Sequence, residues 1–361
     1  MNWYYFIFIW IAFMAFLSQV KNVKYETVVQ GKTVHRWRLG VALIAFVPVI
    51  YLVAFNAPRS DTVLYLTIYR NLATSWSGLL ANLSVADSGQ GFTVFEWIVK
   101  NISGGNETIF RIVLALFHSI PILYVFRKYS DNFILSMYLF VATGCHIAWM
   151  MNGLRQFLAV SIIVGATPLM IKKKYIPLIG VIFLATTIHS SAVLMLPVVF
   201  IVQGKPWNRR TLFFIVFAII MMYLFSRYTG LLDSMLENTE YAGVMANVAE
   251  MGDNGTNPIR VLVNSVPMIM ALLGRGFIET DDNSVINLCV NMSIITTGLY
   301  LVSMVTSGVM LGRLPIYTSL YSYILLPYLI KRIFTEESAK LVTVAMVVLY
   351  FAYYLYAYRG F

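Results

Sequence analysis

The sequence predicts an all-α polytopic membrane protein of about twelve transmembrane segments, and three observations carry that reading. Hydrophobic residues make up 59% of the 361 residues and charged residues 12%, more apolar surface than a water-soluble fold can hide. Apolar runs of the length needed to cross about 30 Å of hydrocarbon recur from end to end. Helices satisfy their own backbone in that environment. Lys and Arg gather in the short stretches between alternate runs, the pattern that fixes orientation. The chain reads as one integral membrane domain over residues 1–361, with no soluble domain, long linker or low-complexity tract.

In order, residues 3–20 form the first run. With no basic residue before it and several after it, it reads as a retained span rather than a cleaved signal. The loop with Lys21, Lys24, Lys32, Arg36 and Arg38 is then cytoplasmic, and the run 39–56 returns outside. Residues 57–107 are too polar to span, yet carry Tyr65, Trp76, Phe92, Phe95 and Trp97. They read as amphipathic helices on the outer interface. Runs at 108–126 and 132–150 follow, and residues 157–171 lead inward to Lys172, Lys173 and Lys174.

The next stretch, 176–202, has basic residues at both ends and so must rise and return. Its arms would each reach about 20 Å, which makes it a short hairpin with its apex around His189. Residues 211–226 exit to an outer loop, 228–258, that bears Asp233, Glu237, Glu240, Glu250 and Asp253. Runs at 259–274, 285–304, from Arg313 to Lys331-Arg332, and 341–358 complete the chain, with both termini outside.

A net charge of +10 suggests nucleic acid only until the charges are placed; topology accounts for them, and no nucleic-acid partner is expected. Cys145 and Cys289 fall within apolar runs and offer neither a disulfide framework nor metal-ligand spacing. No Asp-x-Asp pair, His/Cys/carboxylate cluster or Gly-rich phosphate loop occurs. No metal or cofactor is therefore expected.

The identity of the outer-side charges is more informative than their number. On the cytoplasmic side the basic residues are mostly Lys. Outside, Lys100 is accompanied by Arg59, Arg70, Arg111, Arg155, Arg227, Arg260, Arg313 and Arg359. Topology needs positive charge of either kind. Guanidinium groups hold phosphate oxygens in a two-pronged way and keep their charge at low dielectric. An outward-facing, arginine-lined cavity for a lipid-borne phosphate or diphosphate follows. Salt bridges to the acidic residues of the same side, or contacts with lipid headgroups, are the plainer alternative.

The stretch Asn152-Gly153-Leu154-Arg155-Gln156 opens an apolar run. On one helix Asn152 and Gln156 share a face, so with Arg155 they would form an anion-binding corner near a helix N-terminus; a snorkelling arginine is the simpler reading. His189 sits among Thr187, Ser190 and Ser191, where an imidazole could take a proton from a sugar hydroxyl or orient a ligand. Asp61 beside Arg59 is the competing base, or half of an ion pair. His118 and His146 read as hydrogen-bonded core histidines, and His35 as part of the basic inner loop.

These pieces together resemble a known family. Asn152-Gly153-Leu154-Arg155-Gln156-Phe157-Leu158-Ala159, followed by His189-Ser190-Ser191-Ala192, is similar to the EpsG family of Wzy-like polysaccharide polymerases. Arg59-x-Asp61-x-x-x-Tyr65, Gly91-Phe92 and Arg313-Leu314-Pro315-Ile316-Tyr317 agree in order. Gln90 departs from the acidic residue more usual near that glycine. The resemblance covers roughly residues 40–330. It implies a GT-C-like enzyme of the bacterial inner membrane acting at the periplasmic face on undecaprenyl-diphosphate-linked oligosaccharides. Such an enzyme moves the growing glycan to the terminal sugar hydroxyl of a new lipid-linked repeat unit, and a chain-length regulator would be its protein partner. On this reading Arg59, Arg155, Arg260 and Arg313 hold diphosphate, while Asn152, Gln156 and Ser190 orient substrate. His189 or Asp61 activates the acceptor, and Tyr65, Tyr317 and Trp76 line the glycan path. An O-antigen ligase-type glycosyltransferase and a transporter or flippase of lipid-linked oligosaccharide are the rivals. The latter should show repeated spans and mid-membrane polar residues, and no convincing repeat is seen.

Overall fold

The computed structural model describes residues 3–29, 32–85, 88–227, 234, 253–281 and 283–358. Most of the loop read at 228–258, including Asp233, Glu237, Glu240 and Glu250, and also Arg359, lies outside them. The chain divides into two units, Met1–Leu196 with Glu337–Phe361, and Pro197–Glu336.

The first unit opens with α1 (Trp3–Leu17), and its second helix is α2 (Leu39–Phe55). Three short helices follow: α3 (Asp61–Asn71), α4 (Trp76–Val85) and α5 (Gln90–Ser103). The long α6 (Glu107–Tyr129) leads to α7 (Phe133–Ala142), α8 (Cys145–Asn152), α9 (Leu154–Gly165) and α10 (Thr167–Ile171). After α11 (Tyr175–Ile188) come a 3-10 turn (Ser190–Leu194) and α12 (Met195–Ile201), which crosses the boundary between the units. The second unit holds α13 (Arg209–Arg227), α14 (Pro258–Leu273), α15 (Arg275–Asp281) and α16 (Ser284–Met304). A 3-10 turn (Leu311–Arg313), α17 (Ile316–Ser319) and α18 (Ser322–Ile333) complete it. The last helix, α19 (Glu336–Tyr358), returns to the first unit.

Helix α6 is the organising element of the first unit, packed on α2 along one side and on α9 along another. It starts where Asn106 caps it, the side-chain oxygen accepting from the amides of Thr108 (2.9 Å) and Ile109 (3.1 Å); Glu107 in the first turn complements the helix dipole. The core is aromatic: Phe46, Phe110, Phe126, Phe140 and Phe157 are fully buried. Phe140 lies edge-on to Phe126 with centroids 6.0 Å apart. The last helix is tied back by the Tyr138 hydroxyl, which donates to the Val347 carbonyl at 2.5 Å.

The loop read as merely basic is a β-hairpin, a departure from an all-α chain. Strand β1 (Lys24–Val29) pairs antiparallel with β2 (Lys32–Trp37), placing Lys24 opposite Trp37 and Glu26 opposite His35. Its Tyr, Thr, Val and Trp content favours a pleated surface. The hairpin is pinned to the end of α6: Arg127 Nε donates to the Trp37 carbonyl at 2.6 Å, and its guanidinium stands over the Tyr25 ring. Arg36 donates to the Ser130 carbonyl.

The twelve apolar runs become shorter and more broken helices than expected. Among the described residues α6, α16 and α19 are each long and apolar enough to cross a membrane, and the bent pairs α7–α8 and α14–α15 raise the number to five. The helices α1, α2, α9 and α11 are apolar but of 10–17 residues. The breaks have local causes. Gly144, with φ 70°, turns the chain by 68° between α7 and α8; that left-handed conformation suits glycine. In the second unit Gly274 ends α14, and α15 leaves at 70°. The backbone also breaks at His189, which is extended (φ −148°, ψ 119°) between α11 and the 3-10 turn.

Candidate functional site

The expected corner at 152–156 is divided by a helix break. Asn152 is the last residue of α8, Gly153 interrupts, and Arg155 and Gln156 stand in the first turn of α9. Asn152 and Gln156 therefore do not share a helix face. Asn152 lines a small cleft with Asn56, Pro58, Thr62 and Arg111, while Gln156 is buried and turned toward Ser191. The sequence could not show this, because a glycine tolerated within a helix and a glycine that ends one look alike.

Arg155 is half-buried. Its Nε donates to the Tyr65 hydroxyl at 3.1 Å, and its guanidinium carbon lies 5.7 Å from the Tyr65 ring centroid. Tyr65, on α3, is itself set edge-on to Phe92 of α5 at 5.6 Å. The N-terminus of α5 approaches Arg155 so closely that a Cβ on Gly89 would lie 2.4 Å from Nη1. Two residues on, a Cβ on Gly91 would lie 2.2 Å from Thr187 Oγ1. These glycines let α5 close onto Arg155 on one side and the end of α11 on the other. No carboxylate forms an ion pair with Arg155 among the described residues.

Beside this lies a polar relay. Gln156 Nε2 donates to Ser191 Oγ at 3.4 Å, and Ser191 Oγ is 2.8 Å from His189 Nδ1. The Ser191 amide also donates to Nδ1, at 3.4 Å, so Nδ1 is the accepting nitrogen and Nε2 carries the proton of the neutral ring. Ser190 begins the same 3-10 turn and is half-buried. His189, Ser191, Gln156, Arg155 and Tyr65 are thus linked in one region of the first unit, from α3, α9 and the end of α11.

Asp61 opens α3, its Oδ1 accepting from the Ser60 hydroxyl at 3.3 Å, just after Ser60 in an unusual left-handed conformation (φ 45°). Arg59 is exposed and forms no ion pair with Asp61. Other outer arginines of the sequence reading serve the fold. Arg70 forms a two-pronged pair with Glu107, Nη2 to Oε2 at 2.9 Å, and Arg111 donates to the Asn56 carbonyl. Lys100 donates to the carbonyls of Tyr69 (2.8 Å), Arg70 (2.7 Å) and Leu72 (2.6 Å), closing the C-terminal end of α3. Trp76 is exposed, edge-on to Trp97 at 5.9 Å.

The remaining expected residues belong to the second unit. Arg260 lies in the first turn of α14, behind the Asn257 cap. Arg313 ends the 3-10 turn before α17, and Tyr317 in α17 is fully buried. In the same unit, Asp253 accepts from the amides of Gly255 (2.9 Å), Gly308 (3.0 Å) and Val309 (2.9 Å) and from the Ser307 hydroxyl (2.7 Å). Gly312 abuts Thr256, where a Cβ would lie 2.5 Å from Oγ1.

One residue of the site escaped sequence reasoning. Glu96 stands on the apolar stripe of α5 with Phe92 and Val99, and is 2% exposed. Its Oε1 meets no hydrogen-bond partner. Burial pushes its carboxyl up to about 8, with Arg155 pulling the other way. The detectable signal was an acid at the i, i+4, i+7 spacing of an otherwise apolar face.

Fold and site define a helical membrane protein whose short helices converge on an arginine, a phenol and a serine–histidine relay. The chain belongs to the EpsG family, whose model matches residues 41–361. Comparison with curated proteins and with solved structures returned no match. Membership of this family associates the chain with polysaccharide biosynthesis in a membrane.

Proposed function

We propose that this chain is a polysaccharide polymerase of the Wzy type. It would transfer the growing glycan from undecaprenyl diphosphate to the terminal sugar hydroxyl of a new lipid-linked repeat unit. The GT-C-like arrangement, about twelve spans counted over broken as well as whole helices, a site at the periplasmic face of a bacterial inner membrane, and a chain-length regulator as partner belong to the same reading. The observation that carries it is Arg155, held by Tyr65, without a carboxylate in ion-pair contact among the described residues, and placed beside the Gln156–Ser191–His189 relay, in a chain of the EpsG family.

In the reaction the acceptor oxygen attacks the anomeric carbon while the bond to the diphosphate oxygen breaks. The hydroxyl proton goes to a base, and the electron pair leaves with the diphosphate. Charge grows on that leaving group, so a preplaced guanidinium stabilises the transition state more than the ground state. Arg155 takes that role, joined by Arg59 of the same unit. His189, held at Nδ1 by Ser191, orients a phosphate or sugar oxygen or takes the acceptor's proton, and Asp61 is the competing base. Tyr65 and Trp76 offer surfaces for the glycan, and Asn152 a polar group. Both substrates are lipid-anchored, and binding them side by side supplies proximity. Direct displacement inverts the anomeric centre.

The test is polymerisation by the purified protein from one defined lipid-linked repeat unit, read as a glycan ladder on a gel. Wild type should give the ladder, while Arg155→Lys and His189→Ala, checked for folding by size exclusion, should give short products or none. Normal ladders from both would exclude the assigned site. In cells a polymerase null leaves single repeat units on lipid outside, whereas a flippase null leaves none there.

A further inference from the structure

The buried acid of α5 has no place in the scheme above. Helix α5 packs against α3, α4, α6 and α11, and the charged or titratable groups on those elements are largely committed elsewhere. Helix α4 carries none. From α3, Arg70 is engaged by Glu107 and Tyr69 by the Ser103 hydroxyl at 3.0 Å; Asp61 and Tyr65 lie toward its start. From α6, Arg111 is turned to the Asn56 carbonyl, and His118 Nε2 lies 3.2 Å from the Leu154 carbonyl. His189 caps α11 and is held by Ser191, and Tyr175 lies at the opposite end of that helix. Lys100, one turn along α5 itself, is spent on the carbonyls of α3. Glu96 lies one turn beyond Phe92 on the buried face of α5, and Phe92 packs at 5.6 Å on Tyr65, which holds Arg155; Arg155 is the cation that acts on it.

We propose that Glu96 is a positioning residue for Arg155: neutral, it leaves the guanidinium free to hold a diphosphate, and ionised, it competes with that anion for the same guanidinium. This rests on the polymerase reading for the identity of the anion but not for the coupling itself. A carboxyl shielded from water, with Oε1 lacking any hydrogen bond, favours its neutral form; burial raises it to about 8. The empty site at neutral pH then holds a guanidinium without a carboxylate counter-charge. By linkage an anion bound to Arg155 draws a proton onto Glu96. At alkaline pH the empty site instead holds an ionised carboxyl, whose charge opposes the anion at Arg155.

The experiment measures the affinity of the full-length protein in detergent for inorganic pyrophosphate at pH 6.5 and 9.5. Wild type is compared with Glu96→Gln and Glu96→Met at each pH, so that the ligand's own titration cancels. Both variants lack the charge, and either one alone suffices if the other does not fold. At pH 6.5 wild type and variants should bind alike. At pH 9.5 about 3% of a carboxyl titrating near 8 is neutral, so the variants should bind up to about thirtyfold more tightly. A ratio that does not change between the two pH values overturns the proposal, as does absence of pyrophosphate binding by wild type at pH 6.5. A purely structural Glu96 would weaken both variants equally at both pH values. Failure of the polymerase reading looks different: pyrophosphate binding shows the pH-dependent ratio, but no ladder forms from a lipid-linked repeat unit.

Discussion

Replacing Gly89 by Ala separates the placement of Arg155 from the stability of the helix beside it. Gly89 begins α5 at φ 79°, ψ 21°, and Gly104 ends it at φ 63°, ψ 26°. Alanine in either left-handed position costs about 1 kcal/mol. The surroundings differ. A Cβ at Gly89 falls 2.4 Å from Arg155 Nη1, while one at Gly104 meets nothing within 4 Å. Ordinary contact requires about 3.5 Å, so the guanidinium must retreat by about 1 Å. The tip of an arginine swings easily, and the clash therefore adds little to the loss of stability. It does disturb the 3.1 Å bond from Nε to Tyr65. A displacement of that size is worth on the order of 10²-fold in rate, or about 2.7 kcal/mol of barrier. Thermal unfolding in detergent should therefore show Gly89→Ala and Gly104→Ala losing similar stability, while only Gly89→Ala lowers polymerisation about a hundredfold. Equal ladders from the two variants would refute the claim that Arg155 is positioned against the start of α5.

Other outcomes follow from single contacts. Lys100→Met should destabilise the first unit by about 2 kcal/mol, since it removes a charge and leaves three carbonyls at the end of α3 without their donor; unfolding temperature is the readout. Gly91→Ala presses on Thr187, including its backbone carbon at 3.0 Å, and should lose about 1–3 kcal/mol as an overpacked contact, seen in the same melt. Burial pushes the Asp253 carboxyl up, but hydrogen bonds from Val309, Ser307, Gly308 and Gly255 outweigh it and hold the group below the usual aspartate range. A depressed native pKa stabilises the fold above the unfolded value and loses that contribution as pH falls through the native one. The melt of wild type should thus fall more steeply below roughly pH 4 than that of Asp253→Asn, which starts lower at neutral pH; parallel curves would remove Asp253 from this role.

What could be read in advance follows the range over which each interaction acts. Apolar runs are local, and the helices at Glu107–Tyr129 and Ser284–Met304 appear where hydropathy puts them. Breaks within runs depend on backbone geometry, and neither Gly144 nor Gly153 announces which role it plays. The hairpin Lys24–Trp37 was hidden because its basic residues read as a topological signal, which masks the pairing propensity of the β-branched residues between them. Gln156 and Ser191 were legible as polar residues at the edges of apolar runs, and the packing of α9 on α11 brings them together. The commitment of Arg70 was not legible, because its partner Glu107 is 37 residues away and becomes a neighbour only when α3 meets α6.

That distinction narrows the arginine argument and strengthens what remains of it. An arginine already satisfied by its own fold has little free energy to offer a ligand, since breaking its native contacts offsets what the new ones contribute. Arg70 is held by Glu107 and Arg111 by a carbonyl, while Lys100 closes a helix. Arg155 is different in kind: its contacts are a phenol hydroxyl, a ring face and the bare edge of a glycine. A phenol and a ring orient a guanidinium without neutralising it. Glu96, which acts on it electrostatically, is buried where its neutral form is favoured. The fold thus holds Arg155 in place with no carboxylate paired to it among the described residues, which is what the proposed stabilisation of a departing diphosphate requires.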